Sequence, residues 1–451
     1  MAILALFVLA QVFEALTPQV RKYVSSSAPS VLLEHVRVID GTGSPPQPDR
    51  NVAIAGGKIV SISPGVDAEG PNVLHLRGQT VIPGIVGMHD HLYALLPGDG
   101  DRPTLPMQVS FTGSRLYLAA GVTTIRTAGS RNPYAELQLA RDIEAGAAPG
   151  PHLEVTGPYM SNLVSADEAR ETVAFWAKRG VTSFKAYRLI TREQLRAAVE
   201  EAHRRGLKVI GHLCSVTYEE AAQIGIDGLE HGFFVNTALD PGKKPDSCPE
   251  SGGDFTLEHI TREQSDRLIA TLLRHHVAVT STLFSTAAPI DPHPLRPEVA
   301  DAMSPAMREA YLRWRAKPPP PQAALLLRKD MELERAFVAA GGLLIAGPDP
   351  VGIGGNLPGF GDQRQIELLV EAGFQAVEAI RIATLNGATF LGRQDRIGSI
   401  QPGKNADLVV VKGDPAAQIA DIEKVEIVFK DGVGYDPRKL LDAVKGHYGE
   451  Y

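Results

Sequence analysis

Short apolar runs that alternate with amphipathic helices constrain this chain more than any other feature. The run ending at His89, then "GVTTIRTAG", "HLEVTGP", "GVTSFKAY", "KVIGHL", "DGLEHG", "VAVTSTL" and "LLIAGPD", make eight strand-like segments. Helical stretches such as "SADEARETVAFWAKRG", "TREQLRAAVEEAHRRG" and "TREQSDRLIATLLRHH" separate many of them, with Ser or Thr at N-caps and Gly at C-caps. Strands covered on both faces read as continuous apolar runs rather than as alternating ones. Eight such βα units predict an α/β protein with a closed parallel (β/α)8, TIM-like barrel.

The two ends of the chain have a different texture. "VLLEHVRVID", "NVAIAGGKIVSIS" and "NVLHLRGQTVI" near one end, and "IGSIQPGKNADLVVVKGDP" and "KVEIVFKDGV" near the other, read as short antiparallel strands with tight turns. The expected division is therefore an N-terminal apolar segment at 1–29, a β domain built from 30–82 and 394–433, a barrel at 83–393 and a tail at 434–451. At 451 residues the chain can hold a large barrel and such a satellite.

Two segments interrupt the repeat: "NTALDPGKKPDSCPESGGDFTLEH", and the stretch from "FSTAAPIDPHPLRPEV" to "RAKPPPPQ". Both follow strand ends on the face where barrel enzymes carry their sites, so they are expected to cover a pocket.

Composition and charge narrow the function classes. With 44% hydrophobic and 22% charged residues and a net charge of -7, the chain has no electrostatic footprint for nucleic acid or an anionic membrane. The apolar N-terminus, "MAILALFVLA", is shorter than the roughly 20 residues a membrane span needs and resembles a signal-peptide core. Export to a periplasmic or extracellular space is expected over a cytoplasmic location. Cys214 and Cys248 are read as two free thiols, with a disulfide between them only in an exported protein.

The chemistry lies in the polar residues that end the apolar runs. His89 and His91 end the first, Lys185 the fourth, His212 the fifth, His231 the sixth and Asp349 the eighth. In a barrel those ends converge on one mouth. His-x-His on a strand sends both rings to one face. Imidazole and carboxylate ligands suit zinc, with iron, manganese or cobalt as substitutes. Five such ligands exceed what one tetrahedral ion needs and fit two ions sharing a bridge. A neutral Lys185 amine that has captured CO₂ as a carbamate would supply that bridge. The remaining histidines are given packing or surface roles.

Taken together, "VIPGIVGMHDHLY", "GVTSFKAY", "VIGHL", "GLEHG", "AGPD" and "NGATFLGRQDRIGSIQPGKNADLVVVKGDP" resemble the ordered motifs of the metal-dependent amidohydrolase superfamily. The similarity is strongest to its prolidase-like and imidazolonepropionase-like members. It implies a barrel joined to a small β-sandwich formed by both chain ends. It also implies that His89, His91 and Asp349 hold the more buried metal, that His212 and His231 hold the second, and that carbamylated Lys185 bridges the two divalent ions, expected to be zinc. The family often has Thr where this chain has Pro348, and often a His where "GDQRQIELL" places Gln363 and Gln365.

The function implied is hydrolysis of a C–N bond in a dipeptide such as Xaa-Pro, an N-acyl amino acid or a related amide. A metal-bridging hydroxide would attack, with Asp349 as general base and then general acid. Tyr93, Tyr159, Tyr187 and Arg188 are candidate substrate contacts because they lie at or just beyond strand ends. The alternatives are an ester, lactone or phosphotriester substrate for the same centre, or a non-catalytic scaffold of the same fold. The expected partners are a small-molecule substrate and further copies of the chain in a homo-oligomer.

Overall fold

The structure, a computed structural model, describes residues 16–96 and 104–451. The apolar N-terminal run read as an export signal lies mostly outside the described residues. Among those described, no helix is long and apolar enough to cross a membrane.

Eight parallel strand positions carry the larger part of the chain. They are β1 (Ile85–Asp90), β2 (Val122–Thr127), β3 (His152–Glu154, resuming as Thr156–Met160), β4 (Ser183–Arg188), β5 (Lys208–Leu213), β6 (Gly228–Glu230), β7 (Ala278–Ser281) and β8 (Leu344–Ala346). β1, β2 and the first half of β3 form one parallel sheet, and the second half of β3 runs in register order through β8 in another. The chain crosses from one sheet to the other at buried Val155. At the opposite edges β8 meets β1, where the Asp349 N–H donates to the His89 carbonyl at 3.0 Å. Gly347 permits this approach, because a Cβ there would lie 2.1 Å from the His89 nitrogen.

The helices between strands form where the sequence signals them. Thr191 and Thr261 each make a capping box, with Gln194 and Gln264 reaching back to the cap nitrogen. In the helix Arg192–Arg204, Leu195, Ala198, Val199 and Ala202 are buried at helical spacing, which turns one face onto the strands.

Strands from both chain ends form one continuous nine-stranded sheet. Its joint is Gln79–Pro83, which pairs parallel with Ser30–Val38 on one side and antiparallel with Leu408–Lys412 on the other. Leu33, Val52 and Val81 share a core with Leu408, Val410 and Phe429, all on strands of this one hydrogen-bonded sheet. Val24–Ser26 and Val433–Tyr435 extend this sheet at one edge.

Both interrupting segments are structured. The first carries the short helix Asp254–His259 and is tied to the end of β5 by a disulfide between Cys214 and Cys248. The sequence left both free thiols and a single disulfide open; the loop doubles back until the two Cα atoms are 4.9 Å apart. The second folds as the helices Leu283–Ala287, Pro297–Ala302 and Pro305–Arg315.

Candidate metal centre

Strand alternation brings distant residues to one place. In β4, Ser183, Lys185 and Tyr187 share a face while Phe184 and Ala186 turn the other way into the core. Lys185 therefore points inward from mid-strand rather than from the strand end expected of it. His89 lies in β1 and His91 just beyond it, His212 in β5, His231 directly after β6, and Asp349 three residues after β8. Ligand atoms of His89, His231 and Asp349 all lie within 4.8 Å of one another. His91 Nε2 is 2.9 Å from Asp349 Oδ1, and the His212 and His231 ring centres are 4.4 Å apart. The six residues singled out in the sequence thus share one neighbourhood.

Two of these ligand types sit on unusual backbone. His231 and Asp349 have φ of 65° and 58°, a left-handed conformation that costs about 1–3 kcal/mol for a residue with a Cβ. Hydrogen bonds hold both. After His231, the Gly232 N–H donates to the Thr280 carbonyl, and the Phe233 N–H donates to Asp330 Oδ1 at 2.7 Å. Asn356 Nδ2 donates to the carbonyls of Pro348 and Asp349.

The electrostatics suit cation binding. Burial lowers the His89 ring to about 4, and burial together with the Lys185 charge lowers His212 to about 3, so both are neutral donors at pH 7. Burial and the nearby His212 lower His231 further. Burial alone would raise the Asp349 carboxyl, but the His89 and His91 rings beside it hold it well below the usual carboxylate range. Lys185 is 1% exposed, its Nζ has no hydrogen-bond partner among the described residues, and burial brings it down to about 8.

Three residues that the sequence reading passed over complete the arrangement. Glu230 is fully buried and its two oxygens take separate partners: Oε2 meets His89 Nδ1, and Oε1 accepts from the Arg126 guanidinium at 2.9 Å with Lys185 Nζ 3.8 Å away. A carboxylate on Nδ1 leaves His89 Nε2 as the atom that could ligate a metal. Burial opposes ionisation of Glu230, yet Lys185, His89 and Arg126 together keep it well below the carboxylate range. Thr282 Oγ1 lies 3.0 Å from His231 Nδ1 and does the same for that ring. The signal for Glu230 and Arg126 was in the sequence, as charged residues inside "GLEHG" and "TTIRT".

Asp90, between His89 and His91, faces away from them. It is fully buried beside Asp362, and burial with that second carboxyl pushes it well above the usual carboxylate range. Gln363 and Gln365 do not stand in for a histidine at the centre. Gln365 bonds the Phe284 N–H and Ser281 Oγ, and Gln363 bonds the Ala120 carbonyl and Arg296, which commits both amides to packing.

Three of the four proposed substrate contacts lie together. The Tyr93 and Tyr159 hydroxyls are 2.6 Å apart, and Tyr187 lies edge-on to both Tyr159 and His212. Burial raises Tyr93 and Tyr159 above the usual phenol range, so both remain O–H donors. Exposed Arg188 reaches toward the disulfide, with Nη2 3.9 Å from Cys248 Sγ. Arg131, which the sequence did not single out, lays its guanidinium over Tyr159 and Tyr93 at 4.9 and 5.5 Å.

Similar proteins share this chemistry in name. The chain is 22% identical over 396 residues to a dihydroorotase of Elusimicrobium minutum, covering 80% of this chain and 83% of that one. It is 25% identical over 389 residues to an imidazolonepropionase of Micrococcus luteus, covering 82% and 90%. Its fold matches that of a Xaa-Pro dipeptidase solved with methionine in the active site, at a TM-score of 0.69 and 21% identity, covering 90% of this chain and all of the other. Residues 80–433, which carry every side chain of the centre, match the amidohydrolase family, and the chain belongs to that family of hydrolases.

Proposed function

We propose that this protein hydrolyses a C–N amide bond in a dipeptide or N-acyl amino acid, at a centre of two divalent metal ions held by its own side chains. The observation that carries this reading is the meeting of His89, His231 and Asp349 within 4.8 Å, beside a buried lysine amine with no hydrogen-bond partner among the described residues. Neutral imidazoles, an ionised carboxylate and an amine free to take up CO₂ fit such a centre. His89, His91 and Asp349 would hold one ion, His212 and His231 the other, and carbamylated Lys185 both, with zinc the ion these donors favour. The parallel strands are read as one closed (β/α)8 barrel, supported by the Asp349 to His89 hydrogen bond between its first and last members.

Divalent ions there would acidify water and polarise the scissile carbonyl. Asp349 accepts the proton of the attacking water and delivers it to the leaving nitrogen. Tyr93 and Tyr159 offer hydroxyl donors to the oxygen that gains charge. Arg131 and Arg188, at the rim, suit a substrate that ends in a carboxylate, which favours dipeptides and acylated amino acids over neutral amides. Export is part of the proposal, supported by the Cys214–Cys248 disulfide.

The test is a panel of Xaa-Pro and Xaa-aromatic dipeptides, N-acyl amino acids and matched esters and lactones, assayed with metal-replete protein. Turnover of the amides, and its loss in a folded, metal-binding Asp349→Asn variant, is expected. Full activity in that variant, or turnover of esters and lactones alone, overturns the reading.

A further inference from the structure

Two of the histidines given surface roles, His35 and His75, meet a set of carboxylates on the nine-stranded sheet, apart from the proposed metal ligands. Glu34 and His35 lie in the strand Ser30–Val38, His75 ends the strand Val73–His75 that pairs with it, and Asp67 lies in the loop before that second strand. Adjacent residues of a regular strand face opposite sides. Here the strand is bulged: Leu33 pairs with Val52 and Val36 with Arg50, three steps against two, and His35 has φ of 56°. The extra residue turns His35 to the side of Glu34, so that its Nε2 stands 4.0 Å from a Glu34 oxygen.

Ligand atoms of Glu34, His35 and Asp67 all lie within 4.8 Å of one another. His35 Nε2 is 2.8 Å from Asp67 Oδ1, and His75 Nδ1 contacts the other Glu34 oxygen. Donors about 2.0 Å from one tetrahedral zinc stand about 3.3 Å apart, and the separations of 2.8 and 4.0 Å bracket that spacing. Asp49 Oδ1 lies 2.6 Å from His35 Nδ1, the kind of carboxylate contact that fixes a ligating imidazole and leaves its Nε2 for a metal. Among the described residues, the guanidinium ion-paired with these three carboxylates is that of Arg77, 3.8 Å from Asp67, and Arg50 adds its charge from farther away. Three carboxylates against two guanidiniums leave an excess of negative charge when the imidazoles are neutral. The cluster is also within reach of solvent: Glu34 is 2% exposed at its base, but Asp67 and His75 are 94% and 71% exposed.

We propose that Glu34, His35, Asp67 and His75 form a zinc site that pins the loop between Lys58–Pro64 and Val73–His75 to the sheet. Two imidazoles and two carboxylates complete a tetrahedral shell. They come from one strand, the loop and the neighbouring strand, so the ion ties three stretches of backbone together. Each imidazole ligates through a nitrogen that carries no proton, and any proton held there passes to solvent as the metal binds.

The probe is zinc chloride, titrated calorimetrically into the full chain with the proposed metal centre already replete. One further zinc per chain is expected. His35→Asn combined with His75→Gln should weaken it at least about tenfold, with hydrolytic activity unchanged. Asparagine tolerates the left-handed backbone of His35, so the bulge is kept. His75→Gln alone, at an exposed position, should also weaken the zinc, and it still reads the site should the double variant fail to fold. Excess zinc should raise the melting temperature of the parent and not that of the double variant. Asp349→Asn should take up the further zinc as the parent does, which separates this site from the proposed catalytic centre. Absence of a further zinc, uptake indifferent to both histidine substitutions, or its loss in Asp349→Asn each overturns the proposal, and the cluster is then an ion-paired network without a metal.

Discussion

Asn356 holds Asp349 in place: its Nδ2 donates to the Pro348 carbonyl at 2.5 Å and to the Asp349 carbonyl at 3.1 Å. Asp349 has φ of 58°, and on its carbonyl side the Asn356 amide joins the Val351 N–H, which donates to the same carbonyl at 3.0 Å. Asn356→Leu keeps the volume and removes the donor. The expected result is a fall in kcat of about tenfold or more with KM little changed, since misplacing a reacting group acts on the chemical step. Asn356→Gln should recover part of it. Steady-state kinetics on metal-replete protein checks this, and an unchanged kcat in the leucine variant refutes it.

How far the centre was legible follows from the residue types. His89, His91, Lys185, His212, His231 and Asp349 stand out as polar residues in apolar runs, and the strand period turns them to one side. Glu230 and Arg126 stand out equally, but their role depends on which neighbours the sheet order supplies, and that order is not written in either strand. Asn356 was out of reach for a different reason. It acts on a left-handed turn seven residues back, and no periodicity encodes such a turn at a non-glycine residue. The same holds for the Cys214–Cys248 pairing, which depends on the path of a loop rich in Gly and Pro, and for the helices at 297–315, masked by the prolines at their starts.

Lys185 offers a structural prediction that does not depend on knowing the substrate. Its amine has no hydrogen-bond partner among the described residues and sits 3.8 Å from Glu230, deep among the proposed ligands. If the bridge is a lysine carbamate, Lys185→Met should lower bound metal from two ions per chain to one or fewer, with far-UV circular dichroism unchanged. Elemental analysis of protein made with metal and bicarbonate reads the ratio. Equal metal content in parent and variant rules out the bridge.

Glu136 predicts a pH dependence of stability away from the centre. It is fully buried on the helix Pro133–Glu144, and burial pushes its carboxyl up to about 8 from 4.5, with Ser130 and Thr127 offsetting only part of the effect. A carboxyl raised in the folded state binds its proton more tightly there than in the unfolded chain. Its contribution is complete below pH 4.5 and is lost as pH rises through about 8. Glu136→Gln is neutral throughout. Its melting temperature should match the parent near pH 4.5 and exceed it increasingly toward pH 8.5. A constant difference across that window shows that the carboxyl does not titrate as described.

The disulfide makes the last prediction, because it joins stability to the mouth of the site. Cys214 is two residues beyond His212, and Cys248 carries the loop that Arg188 reaches. The bond closes a sequence separation of 34, for which chain entropy gives about 3–4 kcal/mol of stabilisation. Reduction, or Cys248→Ser, should therefore lower the melting temperature. If this loop borders the substrate's path, loosening it should raise KM more than it lowers kcat, because the proposed metal ligands are held by strands and their own hydrogen bonds rather than by the loop. Melting curves with and without reductant, set beside kinetics for Cys248→Ser, separate the two effects. A variant that loses kcat and metal together would mean instead that the disulfide holds His212 itself, and the loop would then belong to the metal centre rather than to the substrate's path.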